Sequence, residues 1–277
     1  MKSNLRRSCN AGLLASLLFC ASTFAAECAT PTQAALINPG HLSMATNPTL
    51  PPLQFVDASG ELKGMRIELG TEIAKRLCLQ ADYTRIEFSA MVPGLQGRRW
   101  DMINTGIFFT PERAKIMWMI PYENQAISLS ALPSNPGNIA ALDDLAGQSV
   151  GVEIGGFEEK SIKTASAELV AKGLKPIDVR TFDNFAIAFQ ALRAGQVQAV
   201  VSLDSVAAEY QRQGNFKQVI AGLEPTPVAL AFKDQALANA AAKVLNDMRA
   251  DGSLEALFKR YGAQSTPGAF TAQGPSS

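Results

Sequence analysis

The chain has 277 residues, 47% of them hydrophobic and 18% charged, with 25 basic side chains against 25 acidic ones. That length and apolar share are enough for a substantial core, and a balanced charge with no basic run in the body excludes a nucleic-acid groove. Of the four cysteines, Cys9 and Cys20 fall in the N-terminal segment expected to be removed, and the remaining two with the single histidine, His41, cannot close a zinc site without several carboxylates, so no metal or other cofactor is expected.

In chain order, the first signal is for export. Lys2, Arg6 and Arg7 precede an apolar stretch over residues 11–21, and Thr23-Phe24-Ala25 offers small residues at both positions that a signal peptidase reads. Residues 1–25 are therefore expected to be removed, leaving a soluble protein in an envelope space. The apolar run is shorter than the roughly 20 residues of a membrane span. Phe19 before Cys20 and Glu27 before Cys28 do not suit a lipid-anchored cysteine. Cleavage leaves Cys28 and Cys78, which in an oxidising compartment either pair or remain two free thiols.

After a linker over 26–40, residues 42–45 are predicted as a strand, ended by Asn47-Pro48 and Pro51-Pro52. Gly60 and Gly64 turn the chain into a helix with Leu69, Ile73 and Leu77 at four-residue spacing. Residues 149–154 read as a buried strand ending at Gly155-Gly156. Asp183 is the predicted cap of a helix that buries Phe185, Phe189 and Leu192 and stops at Gly195, with an apolar strand following over 197–201. Leu237, Ala241, Val244, Leu245 and Met248 keep helical period to Asp251-Gly252, and residues 254–261 add a last amphipathic stretch. The Ser, Thr, Pro, Gly and Ala-rich tail, 264–277, is expected to be disordered.

Strands alternating with helices imply an α/β protein with mostly parallel sheets. Breaker-rich seams at 133–137 and 222–227 suggest a second lobe inserted into the first: 41–132, then 133–223, then a return over 224–263. A cleft between such lobes collects strand ends and helix N-termini.

Several ordered motifs resemble the periplasmic solute-binding proteins that serve polar amino-acid ABC transporters. They are Pro51-Pro52-Leu53-Gln54-Phe55-Val56-Asp57, Val92-Pro93-Gly94-Leu95-Gln96, Gly106-Ile107-Phe108-Phe109-Thr110-Pro111-Glu112-Arg113, Leu145-Ala146-Gly147-Gln148-Ser149-Val150-Gly151-Val152, Leu192-Arg193-Ala194-Gly195-Gln196-Val197 and Lys259-Arg260-Tyr261-Gly262. The segment from Gly106 to Arg113 is the most specific, and the resemblance runs from His41 to Tyr261. It implies a two-lobe Venus-flytrap of the type II periplasmic binding class, with two crossover strands as hinge and closure on a ligand. It also implies a monomeric binder rather than an enzyme, with a membrane permease as partner.

The resemblance assigns the carboxylate grip to Arg113, whose planar fork suits two parallel hydrogen bonds. Read as an isolated residue, the same arginine pairs with Glu112 at the surface. Gly156 and Phe157 stand where the family carries hydroxyl residues, so the loop keeps backbone donors at a helix N-terminus but no side-chain hydroxyl. Leu50 stands where an aromatic residue covers the ligand, Phe88 where an apolar contact is common, and Phe108 where a Ser or Thr binds the α-amino group. The amine-binding aspartate falls on Leu203 by straight count and on Asp204 after a one-residue slip. An unpaired buried ammonium costs on the order of several kcal/mol. A pocket lined by Leu50, Phe88, Phe108, Phe157 and Leu203 would therefore disfavour an ordinary amino acid and suit an organic acid with an apolar or aromatic body; if some of these phenylalanines face the lobe cores instead, as large apolar residues most often do, an amino acid stays open as the ligand. Two rival readings stay open: a lyase or dehydratase using Glu153 or Glu158 as general acid, and a binder that feeds a receptor or an envelope dehydrogenase.

Overall fold

The computed structural model describes residues 36–134 and 139–275; the expected signal peptide, Cys28, most of the linker and part of the seam at 133–137 lie outside them. The chain runs β1 (His41–Thr46), β2 (Thr49–Leu50), β3 (Gln54–Val56), β4 (Leu62–Lys63), α1 (Met65–Arg76), β5 (Gln80–Arg85), α2 (Phe88–Gln96), β6 (Met102–Ile103), α3 (Pro111–Ala114) and the long β7 (Trp118–Ala131). It continues through β8 (Ser149–Glu153), α4 (Phe157–Ala171), β9 (Asp178–Phe182), α5 (Phe185–Arg193), β10 (Ala199–Leu203), α6 (Asp204–Arg212), the long β11 (Lys217–Phe232), α7 (Gln235–Ala250) and α8 (Ser253–Tyr261).

Hydropathy period explains the helices. In α1, Met65, Leu69 and Ile73 line one buried face, while Lys75 and Arg76 sit in the last turn, where the helix dipole favours cations. Gly64 sets its entry with φ +115, and a Cβ there would lie 2.4 Å from the Leu53 carbonyl oxygen, so only glycine fits. Helix α7 buries all five of its expected core residues. Cys78, just beyond α1, is disulfide-bonded.

One eight-stranded sheet has the order β5-β1-β6-β11-β7-β10-β8-β9. Its flanks are parallel, β1 with β5 and β6 on one side and β8 with β9 and β10 on the other. Its centre is antiparallel: β7 pairs with β11 along nearly the whole of both strands. Each flank packs its own helices and forms one lobe, and β7 and β11 are the two crossovers between them. The sheet is thus mixed rather than mostly parallel, because the crossover strands pair with each other.

Three sequence expectations are corrected. The helix cap is Asn184, not Asp183: its side chain accepts from the Ile187 amide at 3.0 Å. The stretch 222–227 is not a loop: it lies inside β11, which passes there from the second lobe to the first, and register shifts accommodate its Gly and Pro. On β7, Ile127 onwards already pairs with β10 of the second lobe, so the change of lobe falls within the strand, ahead of the expected boundary at 132 and 133.

The tail is ordered from 264 to 275. Gln264 and Gln273 accept from the amides of Asn124 and Met119, at 2.8 and 2.7 Å, and Thr266 donates to the Tyr122 carbonyl at 3.0 Å. Phe270 is buried under the Arg249 guanidinium, 3.8 Å from its ring centroid. A segment that cannot form its own core instead covers the edge of β7 that faces away from β11.

Candidate functional site

Arg113 sits where the lobes meet. Thr110 caps the short α3 by accepting from the Arg113 amide, and Pro111 occupies its first turn. The guanidinium then donates from Nη1 to the Phe108 carbonyl at 2.9 Å and from Nη2 to the Gly155 carbonyl of the second lobe at 3.3 Å. Its carbon lies 5.4 Å from the Phe88 ring centroid. Glu112, the surface partner considered from sequence, pairs with Lys160 at 3.5 Å instead. Desolvation holds the Arg113 pKa below its ordinary value, opposed by the charges of Glu158, Glu153 and Glu112. Beside it a groove of about 730 Å³ opens between α3 and α4, lined by Thr110, Arg113, Gly156 and Phe157 among others.

Several apolar candidates do converge. The Phe108 and Phe157 rings meet across the lobes, 4.7 Å between centroids. Gly106 lies where Leu50 of the first lobe meets Leu203 of the second: a Cβ on it would stand 2.9 Å from Leu50 Cδ2 and 3.0 Å from Leu203 Cδ2. Phe88 is different. It packs into the first-lobe core with Ala45, Met91, Trp100 and Ile103, presenting only its outer face to Arg113.

The choice between Leu203 and Asp204 is resolved by the junction of β10 and α6. Leu203, the last strand residue, turns toward Gly106, and Asp204 opens α6 on the hinge side. There its Oδ1 accepts from Ser128 Oγ and, at 3.3 Å, from the Gly222 amide.

Glutamates of α4 fold back on its N-terminus. Glu159 accepts from the Gly155 amide at 2.7 Å, so the chain's own carboxylate occupies a donor expected to await an anion. Glu158 is buried, with Oε2 only 2.6 Å from where a Gly156 Cβ would stand. Desolvation raises its pKa to about 7, opposed by its own amide and by Arg113. Glu153, at the end of β8, is raised well above the ordinary carboxylate range by desolvation and by Glu158 and Glu87, opposed by Asn47 and Arg113.

A polar chain that sequence reasoning missed links hinge and cleft. Arg66 and Glu123, both fully buried, pair at 2.9 Å, and Arg66 Nη1 donates to Gln54 Oε1 at 3.2 Å. Gln54 Nε2 donates to the Asn47 carbonyl, and Asn47 Nδ2 donates across the lobes to Glu153 Oε1 at 2.7 Å. A charged residue one turn from Leu69 gives no local sign of burial; the one available hint was Gln54 inside the family's first-loop motif.

Residues 42–264 match the family described as bacterial extracellular solute-binding proteins, family 3. The chain belongs to that family. The L-cystine-binding protein TcyJ of Escherichia coli K12 is 28% identical over 227 residues, covering 80% of this chain and 82% of the relative. An ancestral arginine-binding protein solved with arginine superposes with a TM-score of 0.74 at 30% identity, covering 80% of this chain and 98% of the other. The ancestral amino acid-binding protein AncCDT-1, a precursor of cyclohexadienyl dehydratase, gives a TM-score of 0.71 at 26% identity, over 80% and 95% of the two chains. The family's two-lobe fold, the crossovers through β7 and β11 and the contacts between the lobes describe one object, a hinged clamp.

Proposed function

We propose that the protein works in the periplasm as a monomer, closing its lobes on a small carboxylate-bearing molecule and delivering it to the permease of an ABC transporter. The observation that carries this reading is the state of Arg113. Its terminal nitrogens rest on two neutral carbonyls, one from each lobe, and among the described residues it forms no ion pair. A ligand carboxylate replaces those contacts with charge-assisted, bidentate ones and draws the lobes together on the same group. The relatives support the class of ligand: they are named for binding L-cystine and arginine, each of which carries a carboxylate.

Titration calorimetry with the common amino acids and with amine-free acids tests it. At least one acid binds, and Arg113→Ala weakens that binding by about 30-fold or more, the scale of a lost buried charge pair. An Arg113→Ala protein that binds as tightly as the wild type removes the reading.

A second reading, a cleft-based lyase or dehydratase, draws on Glu158, a buried carboxylic acid with a pKa of about 7 beside an arginine. Incubation with prephenate separates the two: a new product lost in Glu158→Gln supports the enzyme, and unchanged substrate leaves the binder.

A further inference from the structure

At the seam the lobes touch each other directly. The Phe108 and Phe157 rings meet at 4.7 Å between centroids, and the Leu50 and Leu203 side chains close on Gly106. The groove of about 730 Å³ opens beside this contact, with α3 of one lobe and α4 of the other as its walls. Its volume falls within the roughly 300–1,000 Å³ of small-molecule sites.

Helix α4 supplies the longer wall. Phe157, Lys160, Lys163, Thr164 and Ala167 recur at three- and four-residue spacing and share one face. At a rise of about 1.5 Å per residue, that face runs for about 15 Å from Phe157 to Ala167. The Phe157 ring, the Thr164 methyl, Ala167 and the methylene stems of the lysines make it largely apolar. Phe157 therefore has two tasks: it packs on Phe108 at the seam and lines the near end of the groove.

Charge sorts the ligand. Arg113, Lys160 and Lys163 line the groove together with Glu112 and Glu159. Glu112 pairs with Lys160, and Glu159 with Lys163 and with the Gly155 amide. Each carboxylate is matched by a lysine, and among the described residues Arg113 is the lining cation without an ion pair. A single negative charge completes that balance. An ammonium group, or a second anionic one, finds no unmatched partner there.

We infer that the groove between α3 and α4 holds the body of an elongated, amine-free monocarboxylate: an aliphatic acid with its carboxylate on Arg113 and its chain along α4 toward Ala167. This rests on the carboxylate reading above and names the class of acid. Because each lobe contributes one wall, a chain lying in the groove ties α3 to α4 and favours the closed arrangement.

Titration calorimetry of the exported full-length protein tests this with straight-chain acids from butanoate through octanoate to dodecanoate. Dodecylamine carries the same chain under the opposite charge. A fully buried methylene corresponds to about fourfold in affinity, so a groove open on one side should give about two- to threefold per methylene. Dodecylamine is expected not to bind. Ala167 is an exposed helix position, where a charged side chain leaves the fold intact. Ala167→Glu sets a carboxylate at the far end of the groove and should cut the preference for dodecanoate over butanoate about tenfold or more. Arg113→Ala should weaken every acid that binds. Affinity that does not rise with chain length overturns the inference. So does dodecylamine binding as tightly as dodecanoate, or an unaltered preference for dodecanoate in Ala167→Glu. The carboxylate reading survives each of those results if some acid, amino acids included, still binds in an Arg113-dependent way. If no acid of any kind binds, both fall.

Discussion

Arg66 and Glu123 show what an ion pair costs when no water reaches it. Both side chains are fully buried at 2.9 Å, and Tyr122 Oη and Gln54 Oε1 take further donors of the guanidinium. Removing one member of such a pair strands the other, so Arg66→Ala should lower unfolding free energy by about 3–5 kcal/mol, measured by urea titration. Replacing both members by Met and Leu should recover a large part of that loss. Glu158 sets a pH dependence of its own. Its pKa in the folded protein is about 7, above its ordinary value of 4.5. The stability contributed by the buried neutral carboxyl is therefore complete below about pH 4.5 and lost as pH rises through about 7, and Glu153 acts in the same direction. The melting temperature should fall between pH 5 and 8, by at most about 3 kcal/mol in free-energy terms, and Glu158→Gln should flatten that slope. Lobe opening rehydrates the carboxyl, so part of the change should appear as weaker closure.

At the scale of elements, the C-terminal segment is the least expected feature. Its composition announces that it has no core of its own, and that much is correct. Composition does not reveal that β7 presents an unpaired edge at Met119 and Glu123, to which Gln273 and Ser265 pair. Phe270 anchors the segment, with its backbone clasped by the Asn246 side chain through two 2.9 Å hydrogen bonds. Phe270→Ala should cost about 3–5 kcal/mol, the usual range for emptying a buried phenylalanine site. Hydrogen exchange should quicken at the Met119 and Gln273 amides in that variant. Unchanged protection there would mean that the backbone pairing holds the segment without its anchor. By contrast, α1 and α7 were legible in advance, because their cores follow a local four-residue rhythm that tertiary packing only had to accept.

For the whole molecule, closure depends on a small set of contacts between lobes: Asn47 with Glu153, Asn184 with Glu87, Arg113 with Gly155, and Phe108 with Phe157. The register shifts in β11 lie between these lobes, where a strand is least regular and bends most easily. Small-angle scattering should show compaction when a ligand binds. Asn47→Ala should blunt it and speed ligand release about tenfold, since it removes a buried hydrogen bond and leaves Glu153 unsatisfied. The export reading adds a simple check: the protein recovered from the periplasm should begin at Ala26.

The amino-acid sequence alone determined the run of α/β elements, the two-lobe family and the positions of Arg113, Phe108 and Phe157 along its motifs. These follow from short-range rhythm and from motif order, which a linear chain displays directly. Tertiary structure decided whether Leu203 or Asp204 turns to the cleft, that Phe88 belongs to a core, and that Arg66, Glu153 and Glu158 are buried charges. Burial and pairing join residues far apart in the chain, 57 positions for Arg66 with Glu123 and 106 for Asn47 with Glu153. No local pattern encodes which distant partner will remove a side chain from water, because that depends on how the sheet is ordered and how the lobes meet.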